Sequence, residues 1–251
     1  MQESSVQESS MQDSPVRHLG LQGASNFRDL GGYPTLDGSQ TRWRSLVRAD
    51  DLAQLTPAGV RALADYGIET VVDLRWPEEV AASPSPVARD LRQVRYEQVS
   101  LLARTAQEWR ARYRDGAKEL WKCAVLEHTR AELKEVLQLI AASSPGPLLF
   151  HCVAGKDRTG LVAAVMLALA DVVPDTIAYD YAVSGQNLRE AYLRRYASSD
   201  PAEILEVVRC PEQGVHNMLR YLAGVGGIRA YLEQIGLRAA QIERLRARLR
   251  D

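Results

Sequence analysis

The sequence predicts an α/β domain in which helices cover both faces of a mainly parallel central sheet, followed by a helical C-terminal third. Two observations indicate this fold class. Short apolar runs, bounded by polar residues, glycine or proline, alternate with helical patterns, as expected for parallel strands joined by helices. The chain of 251 residues, 46% apolar and 25% charged, is also typical of one globular domain.

The first helix and the strand after it show the clearest local signals. Thr56 suits a helix N-cap, Pro57 the first helical position, and Gly67 the position just beyond the C-terminus. A run rich in β-branched residues follows at once over residues 68–74. Such a run, bounded by polar residues, predicts a buried strand.

The same kinds of signal predict the remaining elements. They are a short strand over 94–99, two helices between 105 and 142 with a break near His128, a buried strand over 146–152, and a helix from Arg158 onward. The last third of the chain is predicted to be helical, with breaks near Gly185, Pro201, Pro211, Gly226 and Gly236.

The ends and the overall charge set the broad class of the protein. Residues 1–17 are rich in Gln, Ser and acidic residues, so we expect a disordered polar tail before a single domain over 18–251. No basic start followed by an apolar stretch marks a secretory signal, which makes the cytoplasm the default location. The apolar run 161–170 is too short for membrane insertion, and a formal charge of −1 does not favour nucleic acid as a partner. No feature indicates an oligomeric state.

A charged cluster separates the second buried strand from the helix that begins near Arg158. In α/β sheets, ligands bind where the carboxyl ends of strands meet helix N-termini, and a helix N-terminus favours an anion. This position should favour the reactive thiolate form of Cys152. The phosphate-binding candidates are the backbone amides and side chains that follow it: Val153, Ala154, Gly155, Lys156, Asp157 and Arg158.

Three alternative roles suit the residues of this loop less well. A nucleotide-binding P-loop needs glycine where Phe150 stands and serine or threonine where Asp157 stands. A rhodanese-type sulfur transferase also uses a loop cysteine, but its loop is typically one residue shorter. A buried, inert cysteine would not account for the charges of Lys156, Asp157 and Arg158.

The stretch HCVAGKDRTG, residues 151–160, resembles the Cys-x5-Arg signature of protein-tyrosine and dual-specificity phosphatases. Its fuller pattern is similar to that of an atypical bacterial group typified by mycobacterial protein-tyrosine phosphatase B. The stretches 24–38 (ASNFRDLGGYPTLDG), 70–80 (TVVDLRWPEEV) and 224–237 (GVGGIRAYLEQIGL) resemble further elements of that group in the same order. The likeness spans about 18–251. It implies a protein-tyrosine-phosphatase-like three-layer fold.

The resemblance implies two-step covalent catalysis that needs no metal and no cofactor. Cys152 attacks phosphorus, while Arg158 and the loop amides stabilise the charge on the phosphoryl oxygens. Water then hydrolyses the cysteinyl-phosphate, and Thr159 is placed to ease the departure of the sulfur. His151 is expected to support the loop by hydrogen bonds.

The leaving oxygen needs a general acid, and two residues are candidates. Asp73 ends its strand at the sheet edge where Cys152 also emerges, and it is the preferred candidate. Asp157, within the loop itself, is the second. The Trp-Pro-Glu trio at 76–78 is similar to the Trp-Pro-Asp loop of conventional tyrosine phosphatases, but we expect Glu78 to be a solvated charge that opens a short turn.

Two further stretches have candidate supporting roles. Asn26, Arg28 and Asp29 either brace the active-site loop through hydrogen bonds or cap a turn before Gly31. The family likeness suggests a helical lid over the pocket, although a solvated helix face is equally consistent with its basic residues, which are Arg104, Arg110, Arg112, Arg114, Lys118 and Lys122.

The resemblance implies a phosphorylated protein as the partner, with phosphotyrosine as the leading substrate and phosphoserine or phosphothreonine as further ones. Lys156, a basic loop position, favours a phosphoinositide or another inositol phosphate as the alternative. The alternative from another class is a non-catalytic phosphate-binding module, which the presence of Cys152, Arg158 and Thr159 disfavours. Some members of the group leave the bacterial cell without an obvious signal, so release remains open.

Overall fold

A computed structural model of the chain describes residues 17–18, 20–102 and 120–250. The predicted polar tail lies outside these ranges except for Arg17. Most of the predicted lid lies outside them as well, namely Arg104, Arg110, Arg112, Arg114 and Lys118.

The described part of the chain contains a five-stranded sheet with the order β1-β2-β5-β3-β4. β1 runs antiparallel to β2, and the other neighbours are parallel. The predicted mainly parallel sheet is therefore confirmed. The strands are β1 Arg28–Asp29, β2 Leu46–Ala49, β3 Thr70–Asp73, β4 Arg95–Gln98 and β5 Leu148–His151.

Eleven α-helices and one short 3₁₀ helix, Leu52–Gln54, accompany the sheet in the described ranges. Thr56 caps α1 through its hydroxyl, which accepts the Gly59 N–H, and Gly67 ends the helix in the left-handed conformation. The helices are α1 Pro57–Tyr66, α2 Pro77–Ala82, α3 Pro86–Asp90, α4 Trp121–His128, α5 Arg130–Ala142, α6 Asp157–Leu169, α7 Pro174–Arg195, α8 Pro201–Val208, α9 Gln213–Gly224, α10 Gly227–Gln234 and α11 Ala239–Leu249.

The two faces of the sheet pack into separate hydrophobic clusters. Val71 and Leu149 point into the smaller cluster, which α1 and α3 complete. Val72 and Phe150 point into the larger one, which helices α4 to α7 and α9 to α11 cover. Successive residues of a strand alternate between the faces of a sheet, so neighbouring side chains on β3 and β5 belong to different layers. The result is a three-layer fold.

Helix α6 lies in the middle of the larger layer. It contacts β2 and β5 on one side and α7, α10 and α11 on others. Nearly all of its side chains are buried, as expected for a helix that is apolar on every side. This packing fixes the helix N-terminus, and with it the loop that precedes it, against the carboxyl end of β5.

The structure corrects one predicted helix boundary. The break near Gly185 is wrong, because α7 runs without interruption from Pro174 to Arg195. The glycine instead allows a close approach, since a Cβ atom there would lie 3.0 Å from the Val208 carbonyl oxygen at the end of α8.

The sequence pattern also missed β1 and β2. β2 reads Leu-Val-Arg-Ala, and the charge of Arg48 hides the apolar signal of so short a strand. The structure nevertheless buries Arg48 completely.

No helix in the described ranges combines the length and the apolar character that a membrane span requires.

Candidate active site

The loop between β5 and α6 forms the centre of the candidate site. Cys152 directly follows β5 and is 2% exposed, on the face of the sheet that carries Phe150. Among the described residues, no backbone carbonyl accepts the N–H groups of residues 153–156. These donors, together with the N-terminus of α6, are therefore available to an anion.

The carbonyl oxygens of this loop accept hydrogen bonds from residues outside the loop. The Asp51 backbone N–H donates to the Val153 carbonyl at 2.9 Å. The Asn26 side-chain amide donates to the carbonyls of Ala154 at 3.1 Å and Gly155 at 3.0 Å. Each peptide unit points its N–H opposite to its C=O, so holding the carbonyls outward aims the amides inward. The predicted amide cradle has the geometry that anion binding requires.

Gly155 is required by both conformation and space. Its φ of +62° lies in the left-handed region, which residues with a side chain rarely adopt. A Cβ atom at this position would lie 2.3 Å from the Ala49 carbonyl oxygen, so any other residue would push the loop away from β2.

A buried cluster of charged side chains also holds the Gly155 carbonyl of the loop. Asp180 on α7 accepts a hydrogen bond from Arg28 Nε at 2.9 Å and is also paired with Arg48 Nη1. Arg48 Nη2 in turn donates to the Gly155 carbonyl at 2.7 Å. Ser184 accepts from both guanidinium groups, at 3.0 Å and 3.3 Å. All three charged side chains are buried, so their charges must be satisfied within the protein.

The charges of this cluster shift the pKa values of its members. Burial would raise the pKa of Asp180, but the two neighbouring guanidinium groups hold it well below the usual carboxylate range. Burial lowers the pKa of Arg48, as does the positive charge of Arg28, while Asp180 opposes both effects. The cluster therefore contains one carboxylate between two cations.

The three candidates near the N-terminus have different roles. Asn26 braces the loop directly, and Arg28 holds Asn26 by donating to its side-chain oxygen at 2.6 Å. Asp29 instead caps a turn, because its carboxylate accepts the N–H groups of Gly31 at 2.7 Å and Arg44 at 2.8 Å. The two alternatives left open by the sequence thus each apply to part of this stretch.

Arg158 is fixed by a residue that the sequence pattern did not reveal. Glu79 on α2 accepts from Arg158 Nη1 at 2.6 Å and from Nη2 at 2.9 Å. Burial alone would lower the pKa of Arg158, but the nearby Cys152 sulfur and the Glu79 carboxylate raise it. Bidentate pairing of this kind fixes the plane of a guanidinium group as well as its charge.

Glu79 also accounts for the Trp-Pro-Glu trio. Trp76 precedes α2 and Pro77 begins it. Glu78 is exposed, as expected of a solvated charge, but it lies within this helix and not in the short turn that was predicted. The carboxylate of Glu79, at the third helical position, accepts the Trp76 N–H at 2.8 Å. Proline at the first position and glutamate at the third are a helix-start signal that could have indicated α2.

Asp73, the preferred candidate for the acid, is buried and fully paired in the structure. Asp73 points to the same sheet face as Val71 and is fully buried, whereas Cys152 belongs to the opposite face. Both of its carboxylate oxygens accept hydrogen bonds from Arg75, at distances from 2.7 to 3.1 Å. Burial would raise the pKa of Asp73, but His151 and Arg75 lower it. A buried, fully paired carboxylate suits support of the sheet edge.

His151 shares this supporting position. Its Nε2 lies 3.7 Å from Asp73 Oδ1, and its Nδ1 lies 3.2 Å from the Cys152 carbonyl oxygen. Burial lowers the pKa of His151, and the Asp73 carboxylate opposes this shift. The residue therefore links the loop to the Asp73–Arg75 pair, as a supporting role requires.

The remaining loop candidates lie at the start of α6. Lys156 Nζ donates to the Val207 carbonyl at 2.6 Å and lies 3.6 Å from Asp157 Oδ2. Asp157 is partly exposed beside Arg158. The Thr159 hydroxyl is buried and has no hydrogen-bond partner among the described residues.

Comparison with known proteins gives this geometry a family. Residues 19–251 match the model of a family described as the tyrosine phosphatase family. The chain belongs to this family. It is 35% identical to a tyrosine-protein phosphatase of Nostoc commune over 82% of this chain and 74% of that relative.

A second relative and a solved structure are also similar to this chain. The chain is 27% identical to the triple specificity protein phosphatase PtpB of Mycobacterium tuberculosis, over 90% of this chain and 96% of that relative. Among solved structures, P. aeruginosa TpbA is 21% identical over 66% of this chain and 86% of that chain, with a TM-score of 0.37. The protein is a phosphatase with the α/β three-layer fold that the resemblance implied.

The buried ion cluster predicts a stability defect in one variant of this phosphatase. Asp180→Asn leaves two buried guanidinium groups without their carboxylate, so we expect the free energy of unfolding to fall by about 3 to 5 kcal/mol. Urea unfolding at pH 7 measures this loss. Asp175→Asn, at an exposed position of the same helix, is the matched control.

The same variant should show a defined pH dependence. Folding lowers the pKa of Asp180, so its contribution is complete above the unfolded value of about 4 and is lost as the pH falls toward the folded value. The difference between wild type and Asp180→Asn should therefore shrink only in acid. A difference below about 1 kcal/mol at pH 7 would contradict the role of this cluster.

The Glu79–Arg158 pair predicts a loss of activity. Glu79→Gln removes the charge and one half of the bidentate clamp, so Arg158 is no longer held in one orientation. We expect kcat/KM for an aryl phosphate to fall about 10- to 100-fold. The exposed neighbour provides the control, because Glu78→Gln should leave kcat/KM within about twofold. Equal activity of the two variants would show that Glu79 does not position Arg158.

Proposed function

We propose that this protein hydrolyses phosphate monoesters through a cysteinyl-phosphate on Cys152, with phosphotyrosine in proteins as its leading substrate. The observation that carries the proposal is the loop itself. Its carbonyls are held outward by Asn26 and Asp51, its amides are free to bind an anion, and Arg158 is clamped beside the cysteine. This arrangement matches the needs of a transferring phosphoryl group.

In the first step the Cys152 sulfur attacks phosphorus, an S–P bond forms, and the P–O bond to the leaving group breaks. Negative charge stays on the three equatorial oxygens, which face the loop amides and Arg158. Because these donors are already oriented, no reorganisation is needed when the charge develops.

Asp157 is the acid that we propose for protonating the leaving oxygen. It lies in the loop next to Arg158 and is partly exposed, so it can reach a group that leaves toward solvent. Asp73, on the other face of the sheet, would have to leave Arg75 to reach the same oxygen. We therefore revise the order of the two candidates and assign proton transfer to Asp157.

In the second step water attacks phosphorus, a P–O bond forms as the S–P bond breaks, and the thiolate and inorganic phosphate are released. The Asp157 carboxylate, which gave up its proton in the first step, takes the proton of the water. The buried Thr159 hydroxyl, unpartnered in the described part of the chain, is available to donate to the departing sulfur. A hydroxyl donor stabilises the thiolate and eases this step.

The substrate assignment rests on the relatives and on Lys156. The relatives are named a tyrosine-protein phosphatase and a triple specificity protein phosphatase, which supports phosphotyrosine first and phosphoserine or phosphothreonine as further substrates. A phosphoinositide is the second candidate. Lys156 favours it, because its ammonium group stands beside the loop and could exchange the Val207 carbonyl for a second phosphate.

One experiment tests the activity and separates it from simple phosphate binding. Reduced protein is incubated in parallel with a phosphotyrosine peptide and a soluble phosphoinositide, and released phosphate is measured. We expect faster release from the peptide, and no release from either substrate by Cys152→Ser, which should still bind the peptide. Cys123→Ser, on α4, is the control that should retain activity.

The outcomes are distinct. Release that survives in Cys152→Ser would refute the covalent mechanism. Peptide binding by the wild type without release would indicate a non-catalytic phosphate-binding module. Faster release from the phosphoinositide would reverse the order of the two substrate classes.

The acid assignment predicts a dependence on the leaving group. Asp157→Asn should lower kcat/KM about 100-fold for phenyl phosphate, a poor leaving group, and only a few-fold for p-nitrophenyl phosphate. Asp73→Asn should lower both by the same factor and reduce thermal stability, because it removes the partner of Arg75. The reverse pattern would return the acid role to Asp73.

A further inference from the structure

A buried lysine lies beside the proposed acid. Lys122, in the first turn of α4, is only 2% exposed. Its ammonium nitrogen lies 3.5 Å from the centre of the Tyr181 ring on α7. Burying an ammonium group at the positive end of a helix is unfavourable unless other groups compensate for the lost hydration. The ring face of Tyr181 provides one such compensation.

Tyr181 connects this lysine to the active-site loop. Its hydroxyl donates to Asp157 Oδ1 at 3.1 Å. Its ring also packs against Gly160, where a Cβ atom would lie 2.8 Å from a ring carbon. The ring is therefore confined between α4 and α6, and its hydroxyl has a defined position relative to Asp157.

The contacts distinguish the two oxygens of Asp157. Oδ1 accepts from the Tyr181 hydroxyl at 3.1 Å, while Oδ2 is the oxygen that lies 3.6 Å from Lys156 Nζ. An oxygen that already accepts a strong donor is the carbonyl-type oxygen of a protonated carboxyl group. The proton of a neutral Asp157 is therefore directed to Oδ2.

We propose that Tyr181, held beneath the Lys122 ammonium group, is a positioning residue that orients the Asp157 carboxyl group for proton transfer to the leaving oxygen. This role rests on the proposed function, in which Asp157 is the acid. Tyr181 and Lys122 act through Asp157.

The protonation states of Tyr181 and Lys122 support this role. Burial and the Asp157 carboxylate raise the pKa of Tyr181 well above its ordinary value, so the phenol keeps its proton and remains a donor. Burial lowers the pKa of Lys122 to about 8, which leaves most of the amine charged at pH 7. A cation over the ring withdraws electron density from it and makes the hydroxyl a stronger donor.

The test compares two aryl phosphates by kcat/KM, which reports the steps up to formation of the cysteinyl-phosphate. Tyr181→Phe keeps the ring and its packing but removes the hydroxyl. We expect kcat/KM to fall about tenfold for phenyl phosphate and less than about twofold for p-nitrophenyl phosphate. Lys122→Met, which keeps the length of the side chain, should show a smaller loss of the same kind.

Matched controls separate positioning from folding. Tyr179→Phe changes an exposed tyrosine two residues away on the same helix and should leave both values unchanged. Thermal melting of each variant shows whether the protein stays folded at the assay temperature. If Tyr181 had only a structural role, Tyr181→Phe would lower kcat/KM for both substrates by the same factor. That result would overturn the proposal.

Asp157→Asn, measured with the same two substrates, distinguishes the two levels of inference. One outcome is that Asp157→Asn lowers kcat/KM more for phenyl phosphate than for p-nitrophenyl phosphate while Tyr181→Phe lowers both equally. In that case Asp157 remains the acid and the role of Tyr181 is overturned. If Asp157→Asn itself does not discriminate, both assignments are wrong. An unchanged Lys122→Met variant would remove Lys122 from the positioning role.

Discussion

The pairing of one buried carboxylate with two buried guanidinium groups is the constraint on which the active site depends. Asp180 on α7 pairs with both Arg28 on β1 and Arg48 on β2, so one residue ties the edge of the sheet to the helical layer. Removing Asp180 would leave two buried guanidinium groups without their carboxylate, which is far more costly than losing a surface ion pair. The three elements are therefore held in one arrangement.

The preorganisation of the loop follows from this cluster. Arg48 reaches the Gly155 carbonyl, and Arg28 orients Asn26, which holds the carbonyls of Ala154 and Gly155. With its carbonyls occupied from outside, the loop keeps its amides directed inward before any anion arrives. Electrostatic catalysis depends on donors that are already in place, so these supporting residues are as necessary to the chemistry as the amides they orient.

The alternation of side chains across the sheet separates two groups of charges. On one face, Asp73 and Arg75 form a buried pair next to His151, and all three support the carboxyl edge of the strands. On the other face, Cys152 lies at the start of the loop that leads to Asp157 and Arg158. The buried carboxylate of Asp73 and the partly exposed carboxylate of Asp157 can therefore occur within one site, because the sheet keeps them apart.

Features that depend on near neighbours could be predicted from the sequence, namely the cap and end of α1, the buried strands β3 and β5, and the cysteine loop between a strand and a helix. These features are encoded within about ten residues by periodicity, caps and turns. Tertiary structure alone decided the face on which Asp73 lies, the strand that contains Arg48, and the pairing of Arg158 with Glu79. Those outcomes depend on sheet register and on charges brought together from distant parts of the chain, and local sequence patterns do not specify either.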